Sequence, residues 1–349
     1  MLKTKKTAIL SVCLAILFGA LTGCNGSEIN SPTETVTEPP KNGDSVITDE
    51  NVVTLDGSIG TTNANDAEVP TVEGQESSEG LKFTLHDSGE RYFCTGIGNC
   101  TDTDIVINYH NGLPVTSIWG FENCTQLTSI SIGGSVQSIG AHAFTGCTGL
   151  RSVYLGDSVA EIHENAFKNC SNLMSITISN NSPEIYNTSF SGTALYNDPS
   201  NWDNHVFYIG QHLISADSER ISGDCIVKNG TTTIAHDAFR NCKNVTSVTI
   251  PNSVERIGNN TFQGCSALTS ITIPDSITHL SEHMFHDCSS LTSIILPKSV
   301  TGFYFAVFKN CSSLTDIYYP GTKDEWNVIK HYENPCFPLY LNVHYNYQP

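Results

Sequence analysis

A phenylalanine that returns every 23 residues constrains this chain more than any other feature. Phe121, Phe144, Phe167 and Phe190 keep that spacing, and Phe239, Phe262, Phe285 and Phe308 resume it. A cysteine follows three residues after each: Cys124, Cys147, Cys170, Cys242, Cys265, Cys288 and Cys311, with Thr193 in place of the one after Phe190. A fixed period of this length is the mark of stacked units that cannot bury an apolar face singly but can do so against their neighbours.

Each copy has the same internal logic. Leu268 to Ile273 ends in an alternation rich in β-branched residues and reads as a short strand. Pro274 stops it, because proline has no amide proton for the next rung. Ile277 and Leu280 then turn the chain, and Phe285 and Cys288 close the coil. Stacking such coils makes a parallel sheet and one continuous core.

The pattern from Asp237 to Gly258, with Ala238-Phe239, Cys242, Val245 to Ile250, Pro251, Val254 and Ile257-Gly258, resembles the BspA-type leucine-rich repeat. The resemblance covers nearly all of Leu81 to Tyr347. It implies a leucine-rich-repeat solenoid of the right-handed β-α superhelix type. A parallel sheet would form one face, with short turns and helical corners on the other, and little helix overall. Gly96 to Val115 resembles the family's N-terminal coil, and about 318–347 its C-terminal cap. The cap also carries a local signal: Thr322 and Glu325 have capping-box spacing, and Trp326 with Ile329 gives a short helix one apolar face.

One interval breaks the rhythm. Phe190 and Phe239 are 49 residues apart, two periods plus three. In register, Cys225 falls where Val248 stands in the next coil, so it reads as a small core residue on a strand. Val206-Phe207-Tyr208-Ile209 and His212-Leu213-Ile214 flank Gly210-Gln211, which predicts a hairpin within an insertion at about 191–225. Trp202 also belongs to this insertion.

The N-terminal part has a different composition. Lys3, Lys5 and Lys6 precede an uncharged, mostly apolar run from Ala8 to Ala20, which reads as a signal-peptide core. Leu21-Thr22-Gly23-Cys24 resembles the lipobox of bacterial lipoproteins, and that resemblance implies a lipid on Cys24 and removal of the segment before it. Between residues 25 and 80, twelve acids stand against one base, Lys41, with no aromatic residue. Such a stretch is expected to be a disordered stalk with a reach of about 40 Å. The expected organisation is therefore a signal peptide at 1–24, a stalk at 25–80 and the repeat domain at 81–349. From Leu81 onward, 23 acids stand against 13 bases, a balance that does not attract nucleic acid.

The seven cysteines in register suggest a ladder of packed thiols. Equivalent rungs lie about 4.8 Å apart, whereas a disulfide needs β-carbons about 3.8 Å apart. Cys94 and Cys100 are close enough in sequence to pair. His279, Glu282, His283 and His286 form the densest metal-like set, but their spacing fits no zinc signature, and no metal or other cofactor is expected. No nucleophile elbow, P-loop or dinucleotide fingerprint occurs, so no enzyme is expected.

The outward rows of the sheet are the remaining surface. One runs Ser131, Tyr154, Thr177, Thr249, Thr272, Ile295, Tyr318, and the other Thr128, Arg151, Met174, Thr246, Thr269, Thr292, Thr315. Small hydroxyl residues dominate both. Arg151, Tyr154, Met174, Ile295 and Tyr318 depart from them and are the candidate ligand-binding residues, since large exposed side chains are enriched at interfaces. The expectation is a monomeric, lipid-anchored, surface-displayed adhesion module that binds a protein on host, matrix or other bacterial surfaces. A structural envelope lipoprotein with no specific ligand is the alternative. Scarcity of exposed tryptophan, apart from Trp202 and Trp326, argues against a carbohydrate-processing role.

Overall fold

The coil-by-coil hydrogen bonding of the chain follows from its period: a residue pairs with the one 23 positions later. The computed structural model describes residues 74–180, 182–332 and 334–348, all within the unit Ile47–Pro349. The signal segment, Cys24 and residues 25–73 of the acidic stretch lie outside the described residues. The fold is a β-rich solenoid with very little helix, as the repeat implies.

Ser129 pairs with Ser152 and Ser152 with Ser175 in parallel register, which stacks the strands Ser129–Ile132, Ser152–Leu155 and Ser175–Ile178 into a front sheet begun by Asp104–Ile107. A second front sheet starts at Gly223–Ile226 and continues through Val245–Thr249, Ser270–Thr272, Ser293–Ile295 and Asp316–Tyr318 to Asn342–His344. The front face is thus two sheets, of four and six strands, separated by the insertion.

The turn after each front strand leads to a rear strand, two residues long in the regular coils after the first, and these form a rear ladder. Leu113–Ile118, Ser138–Ile139, Glu161–Ile162 and Glu184–Ile185 pair in order before the insertion. The expected hairpin is present: Val206–Ile209 runs antiparallel to His212–Ala216. Its second strand joins Thr233–Ile234 in parallel, so the insertion supplies a rung of the rear ladder. Cys225 pairs with Val248, the register expected from the spacing.

Every corner rests on left-handed backbone. The residue just before the repeat cysteine has φ of 59° at Asn123, 75° at Gly146 and 60° at Asn169, and Gly192, before Thr193, has 77°. Asn241, Gly264, Asp287 and Asn310 repeat this at 61° to 75°. Only glycine, asparagine and aspartate adopt that region at low cost, which explains the residue types. Neighbouring coils also share the space. A β-carbon at Gly146 would lie 2.3 Å from Asn123 Oδ1, and one at Gly264 2.5 Å from Asn241 Oδ1. An asparagine side chain therefore reaches over the bare glycine of the next coil.

Behind these corners lies the core. Phe121, Phe144, Phe167 and Phe190 are fully buried and stack at centroid separations of 5.0, 5.2 and 5.7 Å. Phe239, Phe262, Phe285 and Phe308 form a second stack at 5.4, 5.5 and 6.0 Å. At the C-terminal end, Thr322 and Glu325 close a reciprocal capping box on the helix α1 of the cap, Lys323–Asn327. At the other end, Glu76 Oε1 accepts from the Gly112 amide at 2.7 Å and Ser77 N–H donates to the Tyr109 carbonyl. The end of the acidic stretch is thereby fastened to the first coil.

Candidate functional site

The repeat cysteines hold the coils together through a specific contact. Cys147 Sγ donates to the Phe121 carbonyl at 3.0 Å, and Cys170, Cys265, Cys288 and Cys311 make the same contact one coil back at 3.0 to 3.1 Å. Burial pushes the Cys242 and Cys311 thiols up to about 12, so they stay protonated and are poor nucleophiles. The row is structural. Cys94 and Cys100 are both buried, and both are free thiols.

The four-residue histidine set separates. His283 and His286 meet at 3.2 Å between their Nδ1 atoms. His279 instead lies between Tyr304 and Tyr332, with ring centroids 5.9 and 5.6 Å away. Among the described residues, no group of three or more His, Cys, Asp or Glu is placed to hold a metal ion.

The front face carries a regular device that the sequence did not announce. Thr269 Oγ1 donates to the Thr246 carbonyl at 3.2 Å, Thr292 Oγ1 to the Thr269 carbonyl at 3.0 Å, and Thr315 Oγ1 to the Thr292 carbonyl at 3.5 Å. Thr128 Oγ1 does the same to the Thr103 carbonyl at 3.3 Å. Each threonine in this row satisfies its own hydroxyl on the coil before it. Both sheets also begin alike. Asp104 accepts from Thr128 Oγ1 and Ser129 Oγ, and Asp224 accepts from Thr246 Oγ1 and Ser247 Oγ. These hydroxyl donors hold both carboxyls below the usual range. A charge at the first strand also blunts the open edge.

Arg151 and Met174 take the two row positions after Thr128. The Met174 amide donates to the Arg151 carbonyl at 3.0 Å, which puts the two residues on adjacent rungs. Met174 is 60% exposed. Tyr154 stands on the same strand run as Arg151, pairs with Thr177 of the next coil, and receives a hydrogen bond on its hydroxyl from Ser179 Oγ at 3.3 Å. The four-stranded sheet therefore places Arg151 and Met174 on adjacent rungs, with Tyr154 three residues further along the first of them.

Ile295 and Tyr318 belong to the other sheet. They pair with each other there. Tyr318 is stacked on His344 at 4.7 Å and meets Tyr347 at a tilt, 4.8 Å away, and His344 Nε2 lies 2.7 Å from Asp316 Oδ1. Its ring is used in closing the cap.

In the insertion, Trp202, Tyr196 and Phe207 pack edge-on or tilted at 5.0 to 5.5 Å. Trp202 and Trp326 are both half-buried, and the tryptophan with most exposure is Trp119, at 39%. Its neighbour in space is Phe93, 5.2 Å away.

Comparison with solved structures finds likenesses of low identity. A leucine-rich-repeat protein of T. pallidum is 24% identical over 68% of this chain and 89% of its own, with a TM-score of 0.32. A leucine-rich cell surface protein of Faecalibacterium prausnitzii is 21% identical over 72% of this chain and 96% of its own, with a TM-score of 0.33. The pneumococcal vaccine antigen PcpA is 14% identical over 76% of this chain and 97% of its own, with a TM-score of 0.26. No curated protein matches the chain. A family model matches in six copies at residues 103–218 and 223–332, resuming at the first residue of the second front sheet. The chain belongs to the family of that model, the BspA type leucine rich repeat region.

Proposed function

We propose that the protein is a lipid-anchored binding module, displayed outside the cell, that grips a protein partner through Arg151, Tyr154 and Met174. The repeat family is typically non-catalytic and generally binds proteins. One observation carries the choice of patch. At Arg151 and Met174 the row of self-satisfied threonine hydroxyls gives way to protruding side chains on adjacent rungs. A cation, an aromatic ring and a flexible thioether together have the composition of an interface hot spot. Ile295 and Tyr318 fit this reading less well, because Tyr318 is occupied by His344 and Tyr347. The partner is a protein on a host, matrix or bacterial surface, and Cys24 is the residue proposed to carry the lipid.

The test begins with a screen of host matrix proteins against cells displaying the chain. For the partner found, Tyr154→Ala and Arg151→Ala should each weaken binding at least tenfold with an unchanged melting temperature, while Thr249→Ala and Thr272→Ala change it little. Equal behaviour of the two pairs would remove the patch from consideration. No partner in the screen would favour a purely structural envelope protein. Fatty-acid labelling that persists in Cys24→Ser would overturn the anchor.

A further inference from the structure

The insertion does more than bridge two coils: beside it lies a cleft of about 790 Å³. That volume is in the range of small-ligand sites, roughly 300 to 1,000 Å³. Tyr196 and Trp202 supply its aromatic lining, both half-buried, with ring centroids 5.0 Å apart at 76°. The Trp202 indole N–H is already donated to the Tyr196 carbonyl at 2.8 Å. What remains of that ring for a ligand is carbon surface.

The carboxylates and guanidiniums of the lining form two ion pairs, beside the neutral side chains of Asn187, Asn197, Asn204, Ser215 and Ser218 and the imidazole of His205. Asp217 Oδ2 lies 3.6 Å from Arg220 Nε, and Asp237 Oδ1 lies 3.0 Å from Arg240 Nη1. The two segments run side by side because the Ala216 amide donates to the Ala238 carbonyl at 2.7 Å. Asp237 is held in place by its left-handed φ of 58°, the corner conformation of the repeat. The insertion thus sets its own Asp–Arg pair against one belonging to a regular coil.

We propose that this cleft binds a neutral saccharide. Carboxylates offer only acceptors and guanidiniums only donors, in fixed planes. Vicinal hydroxyls are both donor and acceptor, and a row of paired acids and bases answers them on both counts. The aromatic carbon surface takes the apolar C–H face of the sugar ring. Charge narrows the class further. Two acids are matched by two bases, so an anionic or cationic ligand gains no net attraction here. A single cleft with two rings also needs far fewer exposed tryptophans than a broad sugar-binding face would.

The full chain should be applied to an array of immobilised oligosaccharides with hexose, N-acetylhexosamine and sialic acid termini. The strongest neutral binder should then be titrated by calorimetry. A subset of neutral glycans should bind. Arg220→Ala and Arg240→Ala alter exposed side chains and should each weaken that binding at least fivefold without changing the melting temperature. Tyr154→Ala, on the front sheet, should bind like the wild type. Trp202→Ala should abolish binding. Because Trp202 also packs on Phe207, 5.5 Å away, the two arginine variants carry the test. The proposal is overturned if no neutral glycan binds, if sialylated glycans are preferred, or if both arginine variants bind as the wild type does. A loss in Tyr154→Ala alone would also overturn it. Failure to find a protein partner for the front sheet leaves this test unaffected.

Discussion

In the six-stranded front sheet, Thr269, Thr292 and Thr315 each return a hydroxyl proton to the coil before. The four-stranded sheet starts the same way at Thr128 and then departs, with Arg151 and Met174 in the next two places. Both sheets stack their coils in parallel at the repeat's register, so their outward rows can be compared position by position. The buried phenylalanine recurs in every coil of both stacks and the buried cysteine gives way only to Thr193, whereas an outward threonine can be replaced for the loss of one modest hydrogen bond. Such a bond is worth about 0.5 to 1.5 kcal/mol net. Departures from a locally favoured residue are where a functional role is worth testing, and Arg151 and Met174 are the proposed case.

The comparison can be tested hardest at the core. Phe144→Ala and Phe262→Ala each remove an inner ring of one four-ring stack and should cost about 3 to 5 kcal/mol. The ring stack and front sheet are both interrupted at the insertion. Coupling in a solenoid passes mainly between neighbours. Hydrogen exchange should therefore accelerate in residues 105–180 for Phe144→Ala and in 245–318 for Phe262→Ala. Equal acceleration in both regions for either variant would show that the insertion transmits stability and that the two sheets are one unit.

The joint between the regions should also be sensitive to acid. His212, on the hairpin strand that joins the rear ladder, is buried, and its Nδ1 has no hydrogen-bond partner. Burial pushes its imidazole down to about 4. Above the ordinary histidine value of about 6.5 the group is neutral whether folded or not. As pH falls below that, the unfolded chain takes up a proton that the folded chain refuses until about pH 4. Stability should therefore fall by about 2 kcal/mol between pH 7 and 5. Burial also lowers His283, His286 and His331. The informative quantity is the difference in urea midpoint between wild type and His212→Leu. A slope unchanged by the substitution would dismiss His212 as the cause.

The smallest effect bears most directly on the surface. Arg151→Thr and Met174→Thr should each raise stability by about 0.5 kcal/mol, by restoring the hydroxyl row and strand propensity. Thr269→Met should lower it by a similar amount. Matched denaturant titrations would resolve the direction. If Arg151→Thr and Met174→Thr are destabilising, these side chains are part of the fold, and their departure from the row signals no binding role.

Much of the architecture was legible because its information is local and repeated. The hairpin at Val206–Ile209 and His212–Ala216, the pairing of Cys225 with Val248 and the capping box of Thr322 and Glu325 all follow from spacing and turn chemistry. The left-handed corners at the Asn, Gly and Asp residues of the repeat became evident only from the backbone. The joining of Arg151 to Met174 was legible too, since one period separates them.

The sequence by itself determined the coil: its length, its core residues and the side that each residue faces. Only the tertiary structure decided what happens where the period fails. It split the front face into two sheets, gave Tyr318 to the cap, and brought Glu184 against Arg256, 72 residues later, through an ion pair across the insertion. It also placed Asp217–Arg220 beside Asp237–Arg240. The physical reason is that a repeat specifies contacts only between a coil and its neighbour. An interval of two periods plus three residues between repeat phenylalanines leaves the point of return to be set by packing of Tyr196, Trp202 and Phe207 and by backbone bonds such as that from Ala216 to Ala238.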